Sequence, residues 1–403
     1  MIWLVLNVVG LALLGGVVLY LIPFVVAARW ARLEPAPRPK TWPRLAVLIP
    51  AYKEEAVIVD TARRAAEHDY AGRFEVVVIA DSLQPRTLDA LAALPVTVHE
   101  VAFEHSTKTK AVRASLDRLP DSTHDAVVIL DADNVMADGC LNAMGAALAA
   151  GHEVVQGRRI AKNLDTGLAQ LDGFSEAINN YIFRRGHHAV GLSASLVGSA
   201  MAFDAALLRR VINAPAVRDA TRAVGGFDKK LALPLLYDGH RMTYAEGGVV
   251  YDEKVGTNAA FVTQRTRWIA AQGEYLRRHV AVGLRCLLRG ERLDYVNATV
   301  HMLLPPRSLV FAALWIGAIV NAVVGTLGLA WAWAAAGTAM GLVFYAAIPP
   351  DRSDLNLAEA LLHLPRGLAL MGRAVYHGLG AVQTYLHTPH RVVNNPDAPD
   401  ENE

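Results

Sequence analysis

Three hydrophobic patterns succeed one another along this chain, and each predicts a different kind of structure. Residues 2–28 are almost continuously apolar, with no charged side chain until Arg29. At 1.5 Å of rise per residue, such a run crosses the hydrocarbon core of a bilayer as one helix. No basic residues lead into it and no small-residue cleavage site closely follows it, so it reads as an anchor and not as a removed signal peptide. A second charge-free region, 308–348, is long enough for two crossings joined by a turn around 325–328. Pro305, Pro306 and Arg307 precede it, and Pro349, Pro350, Asp351 and Arg352 follow it as boundary signals. Residues 355–386 are apolar but carry His363, Arg366, Arg373 and His377. That mixture suits an amphipathic helix lying along the interface or a third span, and we favour the interface.

Between these regions short β-rich runs at 45–49, 74–79, 96–101, 126–130 and 153–156 alternate with amphipathic patterns at 55–68, 110–119 and 140–149. This alternation predicts an α/β domain with a mixed, mostly parallel sheet. The expected organisation is a transmembrane helix over 1–28, a Pro-rich linker over 29–43 and a folded cytoplasmic domain over 44–280. There follow an interfacial helical segment over 281–307, a transmembrane hairpin over 308–348, and an interfacial or third transmembrane helix over 355–388. A disordered acidic tail occupies 394–403.

Composition agrees with a chain partly in lipid: 53% of residues are apolar and 19% charged. The net charge of +1 gives no reason to expect nucleic acid as a partner. Cys140 and Cys286 cannot build a disulfide framework, which suits a folded mass facing a reducing compartment. Arg29, Arg32, Arg38, Lys40 and Arg44 follow the first apolar run. By the positive-inside rule they place the domain on the cytoplasmic side of an inner or plasma membrane, in a multi-pass chain.

Ligands of such sheets bind beyond the carboxyl ends of the strands, so the residues there are the ones that matter. The first run ends in Ile49-Pro50-Ala51-Tyr52-Lys53-Glu54-Glu55, where a proline stops the strand and a ring able to stack on a base is followed by carboxylates. The plainer alternative is an acidic helix N-terminus. Asp81 after the second run can accept from a base or ribose, or serve as a turn residue. Asp131-Ala132-Asp133 after the fourth run can hold a hard divalent cation, or cap a helix. Lys108 and Lys110 head the preceding helix, where they meet phosphate or simply solvent. Gly198-Ser199-Ala200 admits close approach of a ligand or of another element. Asp228, after Gly225-Gly226-Phe227, is a general base or an N-cap. In a helix over 259–279, Gln264, Arg267 and Trp268 share one face, able to hold a diphosphate and stack on a sugar, or to anchor the helix at an interface.

Taken in order, these residues resemble the membrane-integrated members of glycosyltransferase family 2, which include cellulose, hyaluronan and chitin-oligosaccharide synthases and ceramide glucosyltransferase. The resemblance implies a GT-A-like nucleotide-sugar-binding domain flanked by transmembrane and interfacial helices. Pro50, Tyr52, Glu54 and Asp81 match the uridine-holding stretch, with Lys53 where the family usually has asparagine. Lys108-Thr109-Lys110-Ala111 matches a Lys-x-Lys-Ala stretch, and Asp131 and Asp133 match the family's carboxylates for Mg²⁺ or Mn²⁺. Gly198, Ser199 and Ala200 fall on the motif under the acceptor sugar, and Asp228 falls on the general base, with Asp238 the competing candidate. Gln264, Arg267 and Trp268 match Gln-x-x-Arg-Trp, and Tyr385-Leu386-His387-Thr388-Pro389-His390 resembles a late gating segment.

The implied enzyme is an inverting hexosyltransferase using a UDP-sugar. Its expected product is a β-linked growing glycan exported through the membrane helices; the alternative is a single sugar placed on a lipid acceptor. Three spans make a narrow channel, so the polymer reading brings in interfacial helices, a homo-oligomer or an export partner. A third reading, a nucleotide-sugar-binding protein without catalysis, is disfavoured because every expected carboxylate is present.

Overall fold

A computed structural model describes residues 1–218 and 225–380. Its centre is an eight-stranded sheet: β1 Leu45–Tyr52, β2 Phe74–Asp81, β3 Thr97–Val101, β4 Ala126–Ile129, β5 Val135–Met136, β6 Val154–Ala161, β7 Met201–Asp204 and β8 Met242–Asp252. The order across the sheet is β3-β2-β1-β4-β7-β6-β8-β5. β1 to β4 are mutually parallel, β7 runs antiparallel between β4 and β6, and β8 pairs parallel to β6 and antiparallel to β5.

The strand runs are apolar without alternation because both faces of the sheet are covered. Along β1, Ala46 and Leu48 enter one core with Val112, Leu208 and Leu231, whereas Leu45, Val47 and Ile49 enter the other with Ile58, Leu141 and Met144. The β6–β8 ladder breaks register between Gln156 and Arg158. A Cβ at Gly157 would lie 2.4 Å from the Gly248 carbonyl, so only glycine permits this crossing of backbones.

β1 does not stop at the proline as the sequence suggests. It continues three residues beyond Ile49, with Pro50, Ala51 and Tyr52 opposite Ile79, Ala80 and Asp81 of β2. Leu130 donates to the Leu48 carbonyl, so every second residue of β1 faces β4, and Pro50 is the next to do so. β4 has ended by then, and the missing N–H of Pro50 costs no ladder bond.

Two helices, Ile2–Trp30 and Leu327–Ala346, are long and apolar enough to cross a membrane. Leu293–Leu303 and Arg307–Val323, bent by 56° about their break, would make a third span if read as one. Arg307–Val323 and Leu327–Ala346 run antiparallel: Phe311 meets Phe344, and a Cβ on Gly317 would meet Trp333. The N-terminal helix packs on this pair through Val17, Leu21, Leu314 and Met340. Asn7 accepts from Trp333 Nε1 at 2.8 Å and from Asn321 Nδ2 at 2.6 Å, which ties all three helices together.

Asn258–Arg289 is one unbroken helix of 32 residues, so the boundary expected near residue 280 falls inside it. Helix Leu357–Gly378 lies across it and across Gly167–Asn180, with Gly378 against Ile269 and Gly367 against Leu171. Leu361, Leu362 and Tyr376 face outward from it. The gating-like stretch at 385–390 and the acidic tail at 394–403 lie outside the described residues.

Candidate active site

Beyond the end of β4 the chain turns sharply, and Asn134 organises the turn. Its side chain accepts from the Asp131 backbone at 3.0 Å and from the Ser199 hydroxyl, and donates to Asp133 at 3.3 Å and Asp252 at 3.2 Å. Asp133 also accepts from the Glu253 backbone at 2.8 Å, which fastens the turn to the end of β8. As a result, carboxylate oxygens of Asp131, Asp133 and Asp252 lie within 4.8 Å of one another. Three carboxylates at that spacing match the oxygen donor set of a hard divalent cation, Mg²⁺ or Mn²⁺.

Lys108, in the first turn of helix Lys108–Leu116, pairs with Asp131 and donates to the Gly198 carbonyl at 2.7 Å. Its ammonium also stands 5.4 Å from the ring centroid of Phe227, the neighbour of Asp228. Gly198 and Ala200 both have positive φ, 88° and 51°, and this tight turn aims the Gly198 carbonyl at the lysine. Lys110 points elsewhere, to the carbonyl of His105 at 2.7 Å.

At the β1–β2 edge, Asp81 is buried at the end of β2 and accepts from the Ser82 hydroxyl at 3.0 Å. Lys53 donates its backbone N–H to the Asp81 carbonyl at 3.2 Å and takes φ 57°, a left-handed conformation that asparagine adopts more readily than lysine. Glu54 is buried beside Tyr52, while Glu55 binds the backbone of Gln84 and the hydroxyl of Thr87 at the start of helix Pro85–Ala92. A cavity of about 360 Å³ adjoins the ends of β2 and β3, lined by Ala80, Ser82, Leu83, Glu100 and Arg118.

Residues 43–271, more than half of the chain, match the family described as Glycosyltransferase like family 2. This chain belongs to that family. Among solved structures it is similar to a mannosyltransferase from Pyrobaculum calidifontis in complex with GDP-Man and Mn²⁺, at 18% identity and a TM-score of 0.55. That similarity covers 93% of this chain and 97% of the other, and shows a common fold. It is also similar to the glucosyl-3-phosphoglycerate synthase of Mycobacterium tuberculosis, at 16% identity and a TM-score of 0.38 over 60% of this chain and 82% of the other. No curated protein sequence matches it.

In this glycosyltransferase Asp228 opens the helix Phe227–Asp238 and contacts Lys229 at 3.1 Å. It faces a second cavity, of about 110 Å³, walled by Ser195, Leu236, Gln272, Asn297 and His301. Asp238 is exposed at the far end of the same helix, about ten residues or 15 Å away. Gly225 and Gly226 seat the Asp228 loop on helix Asn258–Arg289: a Cβ on Gly225 would touch Arg267, and one on Gly226 would strike Tyr275. Gln264 turns a buried side-chain oxygen inward with no hydrogen-bond partner. Trp268, 40% exposed, stacks on the guanidinium of Arg265 at 4.2 Å, and Arg265 in turn pairs with buried Asp172.

Behind the carboxylates lies a charged layer that sequence reasoning missed. Arg159 bridges Asp252 at 3.5 Å and Glu176 at 2.9 Å; Lys254 pairs with Asp252 at 2.7 Å; and Arg184 lies 3.8 Å from Glu176. Burial opposes ionisation of Glu176, but Arg159, Lys254 and Arg184 outweigh it and hold its carboxyl down at about 2. Burial and the nearby Arg184 push His187 down to about 4, which keeps that ring neutral at physiological pH. Asp252 had one available signal, its place at the end of a strand. Arg159 and Lys254 gave no signal as partners of Glu176, since a helix face identifies no partner 17 or more residues away.

Proposed function

We propose that this enzyme is an inverting transferase that moves one hexose from a UDP-sugar to an acceptor carried by a lipid at the cytoplasmic face of the membrane. The observation that carries this reading is the convergence of Asp131, Asp133 and Asp252 with Lys108 beyond the strand ends. Asp131, Asp133 and Asp252 would hold a divalent cation, which when bound neutralises charge growing on the departing diphosphate. Lys108 and Arg267 add fixed positive charge beside that group. Tyr52, Glu54 and Asp81 position the nucleotide at the β1–β2 edge.

On the other side of the cleft, Asp228 takes the proton of the acceptor hydroxyl as that oxygen attacks the anomeric carbon opposite the nucleotide. The bond from that carbon to the diphosphate breaks as the new bond forms, and the nucleoside diphosphate leaves. The Asp228 cavity is walled by helix Leu293–Leu303, which leads directly into the membrane-boundary prolines. Leu21, Leu314 and Met340, all at 0% exposure, fill the space between the apolar helices, which favours a single transfer over passage of a growing glycan. Membrane vesicles supplied with labelled UDP- and GDP-sugars test this. One labelled lipid species from a UDP-sugar is the expected product; labelled polymer overturns the acceptor assignment, and a GDP-sugar requirement overturns the donor.

A further inference from the structure

The helix Asn258–Arg289 carries Gln264 and Arg267 in its first half, and its second half has two unlike faces. Inward, Tyr275 and Cys286 are buried, a Cβ on Gly283 would strike Thr299, and His279 shares a 2.7 Å hydrogen bond with the Tyr295 hydroxyl, so helix Leu293–Leu303 fixes its rotation. Outward, Val280, Leu284, Leu287 and Leu288 recur at the three- and four-residue spacing of a single stripe and are 37% to 79% exposed. Leu293, just past the turn at Gly290, is 63% exposed. Single exposed leucines are ordinary on a protein surface, but a continuous stripe of them marks a contact site. Among the described residues nothing covers it.

Charge decides what fits there. Residues 276–293 hold five arginines and one glutamate. Arg277 heads the stripe, and Arg285 and Arg289, four residues apart, form the column beside Leu284 and Leu288. Arg285 Nε reaches the Ala281 carbonyl of its own helix at 3.4 Å, and Arg289 lies 3.6 Å from Glu291 in a pair too exposed to neutralise it. A second copy of this chain, related by a two-fold axis, would set these arginines against their own kind. An anionic lipid surface meets both features: the leucines enter the acyl boundary while the guanidinium groups reach up to phosphate.

The surroundings of the helix agree. Gln272 donates to the carbonyls of Met302 and Leu304 at 2.9 and 3.0 Å, which ties the helix to the prolines ahead of Arg307–Val323. Tyr20, inside the N-terminal apolar helix, donates to Asn297 at 2.8 Å, so the partner helix Leu293–Leu303 lies directly against an apolar helix. We propose that the outward face of residues 277–293 docks on the anionic surface of the leaflet beside the apolar helices, its leucines inserted and its arginines on lipid phosphate. Because the helix is unbroken, this seat also fixes its other half, where Gln264 and Arg267 stand. The docking is independent of the sugar-transfer reading above.

The full chain in nanodiscs of phosphatidylcholine and phosphatidylglycerol tests it, with a nitroxide on Leu288→Cys; Cys140 and Cys286 are buried and do not compete for the label. The label is expected to be open to oxygen and shielded from a water-soluble nickel chelate. In the unlabelled chain, spin-labelled phosphatidylglycerol should associate in preference to spin-labelled phosphatidylcholine, and Arg285→Gln combined with Arg289→Gln should cut that preference by about fivefold per arginine. A label open to the nickel chelate overturns the docking. An unchanged lipid preference in the double variant overturns the anionic partner, and broadening between two labels puts a second copy on this face in place of lipid. Leu288, Arg285 and Arg289 are all exposed, so none of these substitutions disturbs the core.

Discussion

Two buried polar clusters in this protein follow opposite rules. Between the apolar helices, Asn7, Asn321, Thr326 and Trp333 satisfy one another: Asn7 accepts twice, and the Thr326 hydroxyl reaches Asn321 at 2.7 Å. In the charged layer behind the strand ends, Arg159, Glu176, Arg265 and Arg307 each retain a buried polar atom without a hydrogen-bond partner among the described residues. The first cluster is complete within the chain and acts as a fastening between helices. The second is incomplete among the described residues and lies next to three converging carboxylates, so it holds charge in place without closing every hydrogen bond.

The largest effect should come from the carboxylates that the charged layer supports. Asp131→Asn is expected to lower donor turnover by about a thousandfold with little change in thermal melting, because it weakens cation binding and leaves the core untouched. An equal loss of melting temperature would recast the carboxylates as structural. Asp228→Asn should reduce transfer by roughly a hundredfold to a thousandfold while titration calorimetry finds nucleotide affinity unchanged; retained turnover would move the base elsewhere.

Next in size is the charged layer itself. Glu176→Gln leaves Arg159, Arg184 and Lys254 without their shared anion and should cost about 3 kcal/mol of stability, read from melting in detergent. The carboxyl of Glu176 is depressed to about 2 from an ordinary value near 4.5, so its contribution is fully present above the ordinary value and fades as pH falls toward 2. An acid limb should therefore appear in the wild-type melting profile below about pH 4.5 and flatten in Glu176→Gln; superimposable limbs would rule this group out. Smallest is Asn7→Leu, expected to cost about 1 kcal/mol with activity per folded molecule retained. A loss of activity there would break the contrast between fastening and working cluster.

Much of this arrangement was legible in the residues. The strand positions show because both-face burial demands unbroken apolar runs, and the carboxylates Asp81, Asp131 and Asp133 show because each sits just past such a run. The strand ends differ from the local pattern: Pro50 reads as a stop, yet it occupies the one stretch of β1 where β4 no longer asks for a donor. Lys110 carries the same local signature as Lys108, but one turns to the Gly198 carbonyl and the other to His105. Likewise Trp268 sits on the signature helix as expected, and its ring is already taken up by Arg265.

Local pattern alone determined where the strands run, which segments are apolar enough for a bilayer, and which acids stand at strand ends, because those properties depend on neighbours within a few positions. Tertiary structure alone decided that Asp252 joins Asp131 and Asp133, and that Arg159 and Lys254 gather around Glu176. These pairings join residues far apart along the chain, and Coulomb attraction and desolvation act only on the distances that folding creates.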